Sequence, residues 1–97
     1  MEYKLNGETL TIFLKGKINS SNSEETEEEI GRILAANAFK SLVFDLSDLV
    51  YISSAGLRII LGVKQEHDDT KLVKVSDPIY DIFVMVGFDN VLTIERQ

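Results

Sequence analysis

The chain has no cysteine and no tryptophan, and only one proline and one histidine among 97 residues. Without cysteine there is no disulfide, no thiolate nucleophile and no thiolate metal ligand, a composition that suits a reducing compartment. With a single proline and six scattered glycines, no stretch reads as a linker. Long apolar runs are missing as well. None approaches the roughly 20 residues that span a bilayer, and Met1-Glu2-Tyr3-Lys4-Leu5-Asn6 lacks the apolar core of a signal peptide. Positive charge is in deficit, with ten lysines and arginines against sixteen acids and a formal net charge of −6. Such a field repels phosphate backbones and anionic lipid, so neither nucleic acid nor a membrane is expected as a partner. These absences predict a soluble protein of the cytoplasm.

What is present suffices for one core. At 44% hydrophobic and 27% charged, residues 1–97 are expected to form a single domain that needs neither metal nor disulfide. Glu2 to Leu5 and Glu8 to Lys15 flank Asn6-Gly7 and read as a hairpin. In its second strand Leu10, Ile12 and Leu14 share a face opposite Thr9, Thr11 and Phe13. Gly16 to Ser20 then reads as a loop, and Ser21-Asn22-Ser23-Glu24 has capping-box spacing, with Ser21 as cap. The following helix starts acidic, at Glu24, Glu25, Glu27, Glu28 and Glu29, and turns apolar at Ile30, Ile33, Leu34 and Ala38. Asn37 is expected to help end it. The early glutamates complement the helix dipole and solvate an outer face.

Ser41 to Asp45 is apolar enough for a central strand, and Lys71 to Val75 is a further one. Ser76-Asp77-Pro78 is a helix start followed by Ile79, Ile82, Phe83 and Val86 at helical spacing, with Gly87 just past the end. Val91 to Ile94 is a short last strand or extended tail. The fold class is therefore α/β, a small mixed sheet with its first strand antiparallel, the rest mainly parallel, and crossover helices between them. The loops around Lys17 to Ser20, Leu46 to Ser54 and Ser76 to Pro78 should gather at one end of that sheet, where open α/β sheets meet ligands and partners.

One of these loops organises the chain. After Leu42-Val43-Phe44-Asp45 come two serines and two small residues, Ser53-Ser54-Ala55-Gly56, where a helix carrying Leu57, Ile60, Leu61 and Lys64 must begin. Ser53 or Ser54 caps it. A hydroxyl here lies among unpaired amides at the positive helix end, so a phosphate placed on it would be accommodated. Ala55 and Gly56 are small enough for a second protein to approach.

Catalysis is not expected. Ser54 lacks the flanking glycines of a nucleophile elbow, and the one histidine, His67, falls a helix length away, roughly 20 Å at about 1.5 Å per residue. Asp45, Asp48, Asp69 and Asp77 show no calcium-loop spacing; turn formation, helix capping and solvation account for the last three. Asp45, at the end of an apolar strand, is either a satisfied turn residue or part of the partner-facing site. No cofactor is expected.

Asp45-Leu46-Ser47 and Tyr51-Ile52-Ser53-Ser54-Ala55-Gly56-Leu57 together resemble the signature of the STAS domain, shared by sulfate transporters and bacterial anti-sigma factor antagonists. Gly16-Lys17-Ile18 and Ser76-Asp77-Pro78 with Phe83 and Gly87 extend the resemblance over nearly the whole chain. Being one domain long, the chain is similar to the stand-alone antagonists. The resemblance implies a partner switch: the unmodified antagonist binds an anti-sigma factor that is also a serine kinase, the kinase phosphorylates the serine at Ser54, and a serine phosphatase reverses the modification. Asn19, Ser20, Asp45, Ser47, Ser53, Ala55, Gly56 and Asp77 would border the contact surface. The sequence departs from many phosphorylated members in carrying Ser53 and Asn19 in place of aspartates, and Ala55 in place of serine or threonine. The other readings are a constitutive STAS scaffold and a sensor of a small anion, without a phosphoswitch. A monomer is expected when the protein is alone.

Overall fold

The computed structural model describes residues 1–97. In chain order the elements are β1 (Tyr3–Asn6), β2 (Thr9–Phe13), β3 (Gly16–Ile18), α1 (Ser23–Ala36), β4 (Ser41–Asp45) and β5 (Leu49–Ile52), followed by α2 (Ser54–Glu66), β6 (Thr70–Val75), α3 (Asp77–Met85), a 3-10 turn at Phe88–Asn90 and β7 (Thr93–Arg96). Five strands form one sheet in the order β1-β2-β4-β6-β7. β1 runs antiparallel to β2, and the β2–β4, β4–β6 and β6–β7 pairs are parallel, as the sequence pattern leads one to expect. The hairpin turns through Gly7 at φ 63°, a conformation that costs glycine little.

Alternation within the strands separates the two faces of the sheet. Leu10, Ile12, Leu42, Phe44 and Leu72 are buried to within 1% of full enclosure, whereas Thr11, Phe13, Val43, Lys71 and Val73 are only partly covered. All three helices pack on the first face: Ile30 and Ile33 of α1, Leu57, Ile60 and Val63 of α2, and Ile79 and Phe83 of α3 join the strand residues in one core. A largely parallel sheet thus keeps one wetter face, populated by β-branched and long amphipathic side chains.

Several local expectations change. Gly16 to Ile18 is a strand, pairing in parallel with β5 to form a second, two-stranded sheet. Three residues give too short a period for sequence alternation to register. Within Ser21 to Glu24 no capping box forms: α1 starts at Ser23 behind Asn22, which makes no capping hydrogen bond through its side chain. Asn19 has taken Ser21 instead, its Oδ1 accepting from Ser21 N at 3.0 Å and Ser21 Oγ at 2.6 Å. Asn22 closes the loop by accepting from Asn19 N at 2.9 Å and donating Nδ2 to the Lys17 carbonyl at 2.8 Å. Asparagine side chains mimic backbone turns well, and here two of them outcompete the serine cap. Asn37 does end α1, donating Nδ2 to the Ile33 carbonyl at 2.8 Å. Ala38 lies beyond the helix and is exposed, and Phe39 packs against the core in its place. The last strand begins two residues later than Val91, because Gly87, at φ 80°, leads into the 3-10 turn before the chain can extend.

Candidate functional site

The carboxyl ends of β2, β4 and β6 are tied together by the backbone. Leu14 N donates to the Asp45 carbonyl at 3.1 Å, Leu46 N to Val73 O at 3.0 Å, and Gly16 N to Asp48 O at 2.9 Å. Asp45 ends β4 with 5% of its surface exposed, yet its charge is satisfied. Its Oδ1 accepts from Ser47 N at 2.9 Å and Ser47 Oγ at 2.7 Å, and Lys74 Nζ lies 3.7 Å from Oδ2. Of the two roles open to Asp45, the structure shows the turn residue: it lies beneath the surface that it shapes. Lys74 reaches it from a left-handed conformation, φ 56°, where the β6–β7 register shifts. Such a conformation costs a non-glycine residue about 1 kcal/mol or more.

The second loop ends in the start of α2. Ser53 is the cap: its backbone is extended, its Oγ accepts from Gly56 N at 3.3 Å, and its carbonyl accepts from Leu57 N at 2.9 Å. Ser53 N donates to the Ile18 carbonyl at 2.8 Å, so the end of β3 holds the cap in place. Ser54, the first helical residue, is exposed and takes no part in the capping bond. Ala55 is half-buried, and Gly56 is buried. A Cβ on Gly56 would stand 2.6 Å from Ile52 Cγ1 and 2.9 Å from Ile18 Cγ2. Its smallness therefore serves close packing of α2 on the β3–β5 sheet and not, as expected from sequence, the approach of a partner.

The remaining candidates lie around this centre. Asn19 is half-buried in the asparagine knot, Ser20 and Ser47 are exposed, and Ser20 presents its carbonyl to Ser23 Oγ at 3.5 Å. Asp77, exposed at the start of α3, accepts from Arg96 at 2.5 Å. That hydrogen bond raises the Arg96 pKa further, and the guanidinium also lies 4.3 Å from the centre of the Tyr80 ring. His67 caps the far end of α2, against Phe39 at 5.2 Å between rings, so the one imidazole and Ser54 sit at opposite ends of a 13-residue helix. The carboxylates do not converge into a group able to hold a metal ion. No helix is long and apolar enough to cross a membrane.

Sequence reasoning did not single out Arg58 and Ile59, which lie between α1 and α2. A cavity of about 350 Å³ there is lined by Ser23, Glu24 and Glu27 from α1 and by Ala55, Arg58 and Ile59 from α2. The available signal was that Arg58 follows Ser54 by four residues, one helical turn.

The architecture defines a small mixed α/β domain whose exposed serine opens a helix at the carboxyl end of the sheet. A family model for the STAS domain matches residues 1–97, and the chain belongs to that family. Among curated proteins it is 35% identical over 95 residues to BtrV of Bordetella bronchiseptica, named as a candidate anti-sigma factor antagonist, covering 91% of this chain and 78% of that one. Among solved structures, a candidate anti-sigma factor antagonist from Thermotoga maritima superposes with a TM-score of 0.87 at 15% identity, over 99% of this chain and 86% of that one. SpoIIAA of Bacillus, an anti-sigma factor antagonist, matches in its unphosphorylated form with a TM-score of 0.76 at 19% identity, over 96% and 85% of the two chains. Its phosphorylated form matches with a TM-score of 0.68.

Proposed function

We propose that this STAS domain is an anti-sigma factor antagonist switched by phosphorylation of Ser54. In its unmodified state it binds an anti-sigma factor that carries serine kinase activity; phosphorylation by that kinase ends the binding, and a serine phosphatase restores it. The observation that carries this reading is the division of labour between the two serines. Ser53 caps α2, which leaves the Ser54 hydroxyl exposed and free of the capping bond. A phosphate on it adds about −1.5 to −2 charge at a helix N-terminus, where the fold tolerates an anion and a docked surface does not. The name of BtrV and the two solved states of SpoIIAA support the same reading. The docking surface would comprise Ser54 with Asn19, Ser20, Ser47, Ser53, Ala55 and Asp77, supported from beneath by Asp45 and Gly56.

The test is the intact mass of the native protein and of Ser54→Ala, recovered from the source cells with phosphatases inhibited. One phosphate on the native chain and none on the variant is expected; a phosphate retained by the variant would move the acceptor elsewhere, Ser53 first. With the kinase partner in hand, Ser54→Asp should weaken binding by about 2 to 5 kcal/mol, or roughly 30-fold to several-thousand-fold. Undiminished binding would sink the switch and leave a constitutive scaffold.

A further inference from the structure

Arg58 is exposed on α2, one turn after Ser54. Residues four apart on a helix have Cβ atoms about 5 to 6 Å from each other. Cα–Cβ bonds lean toward the helix N-terminus, so a long side chain covers the turn before its own Cα. For Arg58 that turn holds Ser54. Arg58 belongs to none of the ion pairs in the chain. It is also the one cation lining the cavity that Glu24 and Glu27 enter from α1, and the first turn of α2 contains no acid of its own. An unpaired guanidinium thus shares one cavity with two carboxylates of α1 and starts one turn from the exposed hydroxyl of α2.

We infer that Arg58 is the positioning residue of the modified site: with phosphate on Ser54, its unpaired guanidinium pairs with the phosphate and holds it against α2. The inference rests on the reading of Ser54 as the acceptor. An anion four residues before a cation is the favoured order on a helix, and the guanidinium fork matches two phosphate oxygens at once. The phosphate is drawn along α2, and a partner spanning the two helix starts meets it beside Glu24 and Glu27, which line the same cavity as Arg58.

The experiment uses full-length protein with phosphoserine installed at position 54 during synthesis, titrated by phosphorus NMR. The second phosphate pKa, ordinarily about 6, should rise by about 0.2 to 0.4 units in Arg58→Gln, the size of a helical ion pair. Arg58→Lys should fall between the two, and Arg32→Gln, which removes an exposed charge from the middle of α1, should leave the value unchanged. No rise in Arg58→Gln, or an equal rise in Arg32→Gln, would overturn the role of Arg58. Failure here leaves the acceptor reading standing, whereas absence of phosphate from the cellular protein removes that reading without touching this titration.

Discussion

The starts of α1 and α2 solve the same problem in different ways. Each exposes backbone amides that need partners, and each lies where loops leave the carboxyl ends of the strands. At α1 the solution is polar and local: Asn19 and Asn22 knot the loop, the cap residue makes no side-chain bond to the helix, and Glu24 and Glu25 complement the dipole. At α2 it is steric and long-range: Ser53 is held by the Ile18 carbonyl, and Gly56 lies against Ile18 and Ile52. One start is a charged surface tied by asparagine hydrogen bonds; the other is a closely packed seat with a hydroxyl on top. A switch whose modification must not disturb its own fold is better built on the second.

Glycine-to-alanine changes break this comparison most sharply. Gly31 in α1 has nothing within 4 Å of an added Cβ, so Gly31→Ala should stabilise by about 0.5 to 1 kcal/mol through helix propensity. Gly56→Ala gains the same propensity, but its methyl must displace two buried isoleucines, which costs about 1 to 3 kcal/mol. The net expectation is a loss of up to about 2.5 kcal/mol, or a melting point lower by up to roughly 20 °C in a domain of this size. Gly62 supplies a control within α2, since it too has open space around it, and Gly62→Ala should behave like Gly31→Ala. A Gly56→Ala protein stabilised like Gly62→Ala would show that the seat is not closely packed.

The two serines come next. Ser53→Ala should cost about 1 kcal/mol by chemical denaturation, the worth of a lost cap, while Ser54→Ala and Ser21→Ala should stay within about 0.5 kcal/mol of the native protein. Equal losses at Ser53 and Ser54 would mean that the cap is shared, which would remove the division of labour on which the proposed switch depends.

The sequence was most legible where one pattern extended over many residues. Alternation in Thr9 to Leu14 and the helical spacing of Leu57 and Ile60 describe contacts with a large common core, which dominates local preference, and the Asn6-Gly7 turn joins the first two strands as its residue types require. The three-residue β3 carries no such period, and its pairing with β5 is visible only in three dimensions. The motif Ser53-Ser54-Ala55-Gly56 marked the start of α2 but left its roles mixed. Which serine caps is decided by the bond from Ser53 N to Ile18 O, and why Gly56 is small by the isoleucines beneath it. Capping-box spacing at Ser21 failed for a similar reason, because Asn19 offered Ser21 a closer partner than the helix did.

Charge at the two starts gives the smallest effect and separates fold from function. The first turn of α1 already contains Glu24 and Glu25, whereas that of α2 contains no acid. An added carboxylate in Ser54→Asp therefore meets an uncompensated dipole and should raise stability by about 0.3 to 1 kcal/mol at low ionic strength, fading as salt screens it. In Ser23→Asp the same carboxylate joins two others and should gain little or lose a few tenths of a kcal/mol. Denaturant melts at low and high salt would measure both. If Ser54→Asp instead destabilised the fold by more than about 1 kcal/mol, weakened partner binding by that variant would report unfolding. With stability kept or raised, the same loss of binding can only come from charge placed in the docked surface, which is the property that a reversible switch at this serine requires.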